Sequence, residues 1–151
     1  MNKKLMYIEF KAEPLHRGPA WIGLASLSKS GRTVYFNDRA LKRFTGGGLI
    51  GNHYDLETGE DVWVSGPKKK GQDRHWAGGG LILVDPLALA EYLEFRGLSE
   101  LDPKLYRVDP GVRPTDVSGT YGARIDAPQC VQLGARFNTC GSHTQLSLCS
   151  S

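Results

Sequence analysis

Residues 52–65 read NHYDLETGEDVWVS. In Asp61-Val62-Trp63-Val64-Ser65, Val62 and Val64 fall on one face and Trp63 on the other. Strand side chains alternate between faces, so this pattern predicts a half-buried strand. Asn52 to Leu56 supplies a second arm, and Glu57-Thr58-Gly59-Glu60 supplies the turn. The whole predicts an antiparallel hairpin.

The same reading extends in both directions. Upstream, Leu5–Lys11 (LMYIEFK), Trp21–Leu27 (WIGLASL), Thr33–Phe36 (TVYF) and Arg39–Phe44 are rich in strand formers. Turn signals separate them: Ser28-Lys29-Ser30-Gly31, where glycine suits a positive φ, and Asn37-Asp38. Downstream, Leu81–Val84 is a last apolar strand. The expectation is a mainly β chain, a small antiparallel β-barrel or rolled sheet of about six short strands. One C-terminal packing helix spans 86–96. Asp85 caps it, Pro86 takes its first position and Gly97 stops it. Leu89, Tyr92 and Leu93 share a helix face, widened by Leu87, Ala90 and Phe95. So broad a stripe reads as a lid on the open end of the barrel. Residues 1–101 form the domain in this reading. Residues 102–151 read as an irregular, poorly ordered tail, since Asp109-Pro110-Gly111, Arg113-Pro114, Ser118-Gly119 and Ala127-Pro128 break it repeatedly. The alternative there is a short hairpin of 131–133 and 135–137 around Gly134.

Composition narrows the classes. The chain has 151 residues, 40% hydrophobic and 23% charged, with net charge +3. No run approaches the ~18 apolar residues of a membrane span. Met1 to Lys11 has no apolar signal-peptide core. The three cysteines, Cys130, Cys140 and Cys149, are an odd number, which argues against a disulfide framework and for a reducing cytoplasm. Charge this weak means that any polyanion partner must be held by a local patch.

Several strings fall in one order: Tyr7-Ile8-Glu9-Phe10-Lys11, Gly18-Pro19-Ala20-Trp21-Ile22-Gly23, Ser28-Lys29-Ser30-Gly31-Arg32-Thr33, Asp55-Leu56-Glu57-Thr58-Gly59-Glu60, Trp63-Val64-Ser65-Gly66-Pro67-Lys68-Lys69 and Asp73-Arg74. In these the chain resembles a family of small uncharacterised bacterial proteins, over Tyr7 to Leu98. Members sometimes carry the label of a thiamine-diphosphate-dependent deoxyxylulose phosphate synthase. That label is rejected on physical grounds. The chain is too short for the cofactor cleft and lacks a G-D-G…N diphosphate motif. The resemblance implies the domain boundary and the loops, and no activity.

The most informative loop is Ser65-Gly66-Pro67-Lys68-Lys69-Lys70-Gly71-Gln72-Asp73-Arg74-His75-Trp76. Lys68, Lys69, Lys70 and Arg74 are read as phosphate contacts, and Trp76 as a ring on which a base stacks. Tyr35, Tyr54 and Trp63 are further platforms. Lys29 and Arg32 extend this surface if the two hairpin tips project from the same end. The plainer reading is a solvated tip whose lysines keep an edge strand soluble. A protein partner on exposed strand edges, using Tyr35 or Trp63, is the second functional reading. A third is a small metal-independent ribonuclease in which His53 and His75 act as base and acid beside Arg74 or Lys70. Against it, alternation puts His53 and Asp55 on one face as an ordinary surface pair. Gly46-Gly47-Gly48 and Gly78-Gly79-Gly80 lack the Lys-Ser/Thr of a phosphate loop and read as bulges or barrel corners. Cys140 and His143 form a single close pair, where structural zinc uses two. No metal or other cofactor is expected.

Overall fold

The computed structural model describes residues 3–12, 15–46, 48, 50–75 and 79–115. In chain order these form β1 (Lys3–Phe10), β2 (Ala20–Leu27), β3 (Thr33–Phe36), β4 (Arg39–Arg43), β5 (His53–Asp55), β6 (Asp61–Ser65), β7 (Ile82–Val84), α1 (Leu89–Arg96) and β8 (Tyr106–Val108). Strands β1-β6-β5-β4-β3-β2 neighbour one another in that order, and β2 pairs back to β1. Every pair in this ring is antiparallel. The described residues therefore form a closed six-stranded antiparallel barrel with two extra strands and one short helix. Closure leaves no free edge within the ring.

Strand β1 is the axis of the packing. It pairs with β2 from Lys3↔Ser26 to Glu9↔Ala20, and with β6 from Tyr7↔Ser65 to Phe10↔Val62. Leu5 to Phe10 are buried without a break, because both faces of β1 are covered. Met6, Ile8 and Phe10 point into the barrel with Val34, Phe36, Leu41, Val62 and Val64. Leu5 and Tyr7 point outward, into a second cluster with Ile22, Val84, Ala88, Tyr92 and Tyr106. Two-sided burial explains why LMYIEF is nearly continuous in apolar residues, where a one-sided strand would alternate.

The outer cluster exists because β2 changes partner along its edge. Ser26 and Leu27 pair with β3, while Ala20 to Ile22 pair in parallel with β7. Asp85 follows β7 and serves both neighbours. One carboxylate oxygen accepts the Leu87 N–H at 2.9 Å, and the other accepts the Leu24 N–H at 3.5 Å. Pro86 to Ala88 form a turn, closed by the Ala88 N–H on the Asp85 carbonyl at 2.9 Å. The helix thus starts at Leu89, later than expected. Gly97 ends it at φ 65°, its N–H on the Glu94 carbonyl at 3.0 Å. Glycine meets this left-handed requirement at little cost.

Two expectations are corrected. The helix does not close an end of the barrel; Ala88, Leu89 and Tyr92 pack on the outer wall. The parallel β2–β7 pairing lays the chain along that wall. Leu87, Phe95 and Leu98 stay exposed, so the apolar stripe is narrower than the sequence suggests. The domain also continues past residue 101, and its compact unit ends at Thr115. Strand β8 pairs in parallel with β7. Beyond it, Trp21 Nε1 donates to the Asp109 carboxylate at 3.1 Å. The Arg113 N–H bonds the Asn37 side chain, and the Asp38 N–H bonds the Thr115 hydroxyl. Tyr106 is the buried residue of this three-residue strand, too little pattern to read as a strand. The hairpin considered around Gly134 and the three cysteines lie outside the described residues.

Gly23 faces the barrel interior, where an added Cβ would stand 2.1 Å from Phe36 Cε2. Gly23→Ala is expected to lower stability by about 1–3 kcal/mol through overpacking, read as the denaturant midpoint. In a Phe36→Leu background the cost of the same change should fall. Equal costs in both backgrounds would show that the ring is not the obstacle.

Candidate functional site

The basic loop after β6 is fastened from below by two buried carboxylates. The Asp73 carboxylate accepts the Lys68 N–H at 2.5 Å, the Tyr92 hydroxyl, Arg96 Nη1 at 3.1 Å and the Tyr106 hydroxyl at 3.3 Å. Arg96 also donates to the carbonyls of Lys68 and Gly71. The helix and β8 together therefore hold the base of the lysine run. Glu9, wholly buried on β1, holds the far side of the loop. One of its oxygens meets Lys11 Nζ at 3.0 Å and Arg74 Nη1 at 3.6 Å. The other accepts the Tyr7 hydroxyl, and the His75 N–H at 3.0 Å. Burial and the Glu9 carboxylate both push the Tyr7 hydroxyl pKa upward, so it stays a donor. Burial and the Asp73 bond do the same for Tyr92.

This network reassigns Arg74. Its guanidinium is buried against Glu9, with Nη1 on the Gly18 carbonyl at 3.1 Å and Nη2 on the Leu81 carbonyl at 2.9 Å. An arginine so engaged positions the loop and is not offered to a phosphate. Lys68, Lys69 and Lys70 are exposed. Lys68 Nζ reaches the Arg74 carbonyl at 3.3 Å, along the loop surface. Trp76, expected as the stacking ring, lies outside the described residues.

The structure separates the two histidines. His53 pairs with Val62, whose side chain is in the barrel interior. Paired residues share a face, so His53 points inward too. His75 instead stacks on Trp63, on the opposite face of β6, with ring centroids 3.7 Å apart and planes 13° apart. The two imidazoles thus lie on opposite sides of one sheet and form no acid–base pair. Nor is His53–Asp55 a surface pair, since both are buried. Asp55 takes Arg39 at 2.5 Å and the Glu57 N–H at 2.8 Å, which orders the β5–β6 turn. Asn52 beside His53 takes the place of a missing strand residue. Its amide donates to the Val64 carbonyl at 2.7 Å and accepts the Val64 N–H at 2.8 Å.

Strand direction decides where the exposed cations go. The start of β1, the end of β2, the end of β4 and the end of β6 lie at the same end of the barrel. Lys3 and Lys4 open β1 there, and Lys29 and Arg32 stand in the β2–β3 turn. Lys42 and Arg43 close β4, and Lys68 to Lys70 follow β6. All of these are exposed. Lys29 and Arg32 therefore share an end with the lysine loop, the condition the sequence left open. Among the described residues, segments 28–32, 44–46, 48, 50–52 and 66–72 contain no acidic residue. On the β1 side, Glu91 and Glu94 of the helix line a groove with Lys3 and Lys4, which offsets those two charges. The opposite end is different, with Asp38, Glu57, Glu60 and Asp61 around its turns beside Arg17 and Arg39.

Of the glycine runs, Gly48 passes the Gly51 carbonyl so closely that its Cβ would lie 2.1 Å from that oxygen. That is a chain corner and not a phosphate cradle. Glu9, Asp73 and Asn52 are the organising residues that sequence reading missed. The available signal was a charged residue inside an apolar strand, and a single acid in a basic loop.

Burial, with the Arg43 charge added to it, lowers the His53 pKa from its ordinary 6.5 to about 4. The unfolded chain then binds the extra proton between these values, so stability is full above pH 6.5 and is lost as pH falls toward 4. The loss attributable to His53 is roughly 3 kcal/mol at most, at about 1.4 per unit. A His53→Gln variant should show a shallower fall in denaturation free energy over this range than the parent chain. Parallel curves would mean that His53 titrates normally. Comparison of the chain with family models, with curated proteins and with solved structures finds no match.

Proposed function

We propose that this chain is a non-enzymatic binding module that takes RNA or another single nucleic-acid strand across the basic end of its barrel. One observation carries the reading. Three separate connections, after β2, β4 and β6, bring Lys29, Arg32, Lys42, Arg43 and Lys68–Lys70 to one end without an interleaved acid. A chain of net charge +3 has little far-reaching field, so this local clustering must supply the attraction. The lysines act as point charges on phosphates. Glu9 and Asp73 spend their charge on Lys11, Arg74 and Arg96, so they do not cancel the exposed cations. Because its base is held by the helix and β8, the loop meets a ligand already shaped, which lowers the ordering cost of binding.

The test is a fluorescence-anisotropy titration of the full chain with labelled single-stranded RNA at about 50 and 200 mM salt. Saturable binding that weakens steeply with salt is expected, because bound counterions are released. Changing Lys68, Lys69 and Lys70 together to Ala should weaken binding and reduce the slope of log K against log salt by about 2, at about 0.7 per phosphate contact. No binding at the lower salt, or an unchanged slope in the triple variant, would overturn the reading.

A further inference from the structure

We infer that the outer face of β4–β5 holds a base-stacking subsite, with the Tyr54 ring as its platform and Phe44 as its brace. The inference rests on the nucleic-acid reading above and adds to it that the ligand presents unpaired bases.

Tyr54 and Lys42 are register partners, and Tyr54 alternates with the buried His53 and Asp55. Its side chain therefore stands on the outer face beside that of Lys42, with Cβ atoms about 5 Å apart. Phe44, two residues beyond Lys42, has its ring centroid 5.2 Å from that of Tyr54 with planes inclined by 40°. The Phe44 N–H bonds the Asn52 carbonyl at 3.1 Å. A Cβ on Gly48 would come within 3.1 Å of the Phe44 ring, so the Gly48 backbone backs closely against it. Both rings are half-buried, each keeping part of its surface open to solvent.

Several other aromatic side chains among the described residues are differently placed. Trp63 is covered by His75, and Trp21 sits between Phe10 and Phe36. The Tyr7, Tyr92 and Tyr106 hydroxyls are bound to buried carboxylates. Tyr54 combines a partly open ring, a braced position and a cationic neighbour. On its other side its register partner is Asp61. An anionic backbone is thus favoured on the β4 side, over Lys42, and disfavoured toward β6. That arrangement gives the strand a direction: phosphates along the end of β4, one base turned onto Tyr54. Stacking on an aromatic ring is tolerant of base identity, because every base has a π-face.

The experiment compares two labelled probes of equal charge on the full chain. One is an oligothymidylate of about 12 nucleotides, and the other an abasic strand with the same number of phosphates. The base-bearing strand is expected to bind at least about tenfold more tightly, equivalent to about 1.4 kcal/mol. In Tyr54→Ala the two probes should bind within about twofold of each other, both keeping their salt dependence, and Tyr54→Phe should retain the preference. Equal binding of the two probes by the unaltered chain overturns the subsite while leaving the charge-based reading in place. That arm requires no variant to fold. Retention of the full preference in a folded Tyr54→Ala chain overturns Tyr54 as the platform. Failure of both probes to bind overturns the nucleic-acid reading and the subsite with it.

Discussion

The carboxylate of Glu9 is the constraint on which the rest of this molecule turns. It lies on the strand that closes the barrel, on the face that points away from the barrel interior, and it is wholly buried. A carboxylate there is tolerable only if it is fully engaged. Lys11, Arg74, the Tyr7 hydroxyl and the His75 N–H engage it. The Lys11 side chain is 1% exposed and that of Arg74 8%. Neither cation can remain at that depth without a partner, because breaking such a pair costs about 3–5 kcal/mol. Such a pair adds little net stability over an apolar core, yet it strongly disfavours any other placement of its members. Its effect is to fix where the loop carrying Arg74 and His75 meets the barrel.

Fixing that loop divides the charges into two populations. Buried ones are consumed in holding the chain: Glu9 with Lys11 and Arg74, and Asp73 with Arg96. The exposed ones are biased by strand direction, most of the lysines at the end where β1 begins and an acidic cluster around the turns at the other, where Arg17 and Arg39 also stand. An antiparallel ring makes this sorting simple. Alternate connections emerge at the same end, so a charge bias confined to every second connection becomes a bias between the two ends. The net charge of +3 conceals this polarity.

Much of the fold was legible, and the reason is local. Val62-Trp63-Val64 alternates cleanly because β6 is covered by the barrel interior on one side only. Gly97 marked the end of the helix because a C-cap acts over a single residue, whereas Asp85 caps only the preceding turn, and Ala88 takes the helix N-cap position without a side-chain bond. The helix start was misplaced because Pro86 fits a turn as well as a first helical position. Strand β8 was missed because Tyr106 is its lone buried residue. The histidines were legible as titratable groups but not as neighbours. Only the register shows that His53 shares Val62's face while His75 lies against Trp63. Arg74 misled for a related reason. A basic residue in a basic loop reads as exposed, and nothing local reveals Glu9, sixty-five positions earlier, beneath it. Long-range pairing of charges leaves no periodic trace.

Buried carboxylates make the basic loop part of the barrel's framework. Native-state hydrogen exchange at the amides of Lys68 and His75, which Asp73 and Glu9 accept, tests it most directly. With the loop held in this way, these two amides open with free energies within about 1–2 kcal/mol of those of the β1 amides, as members of one cooperative unit. Exchange of both at the rates of an unprotected chain, while β1 stays protected, would contradict it.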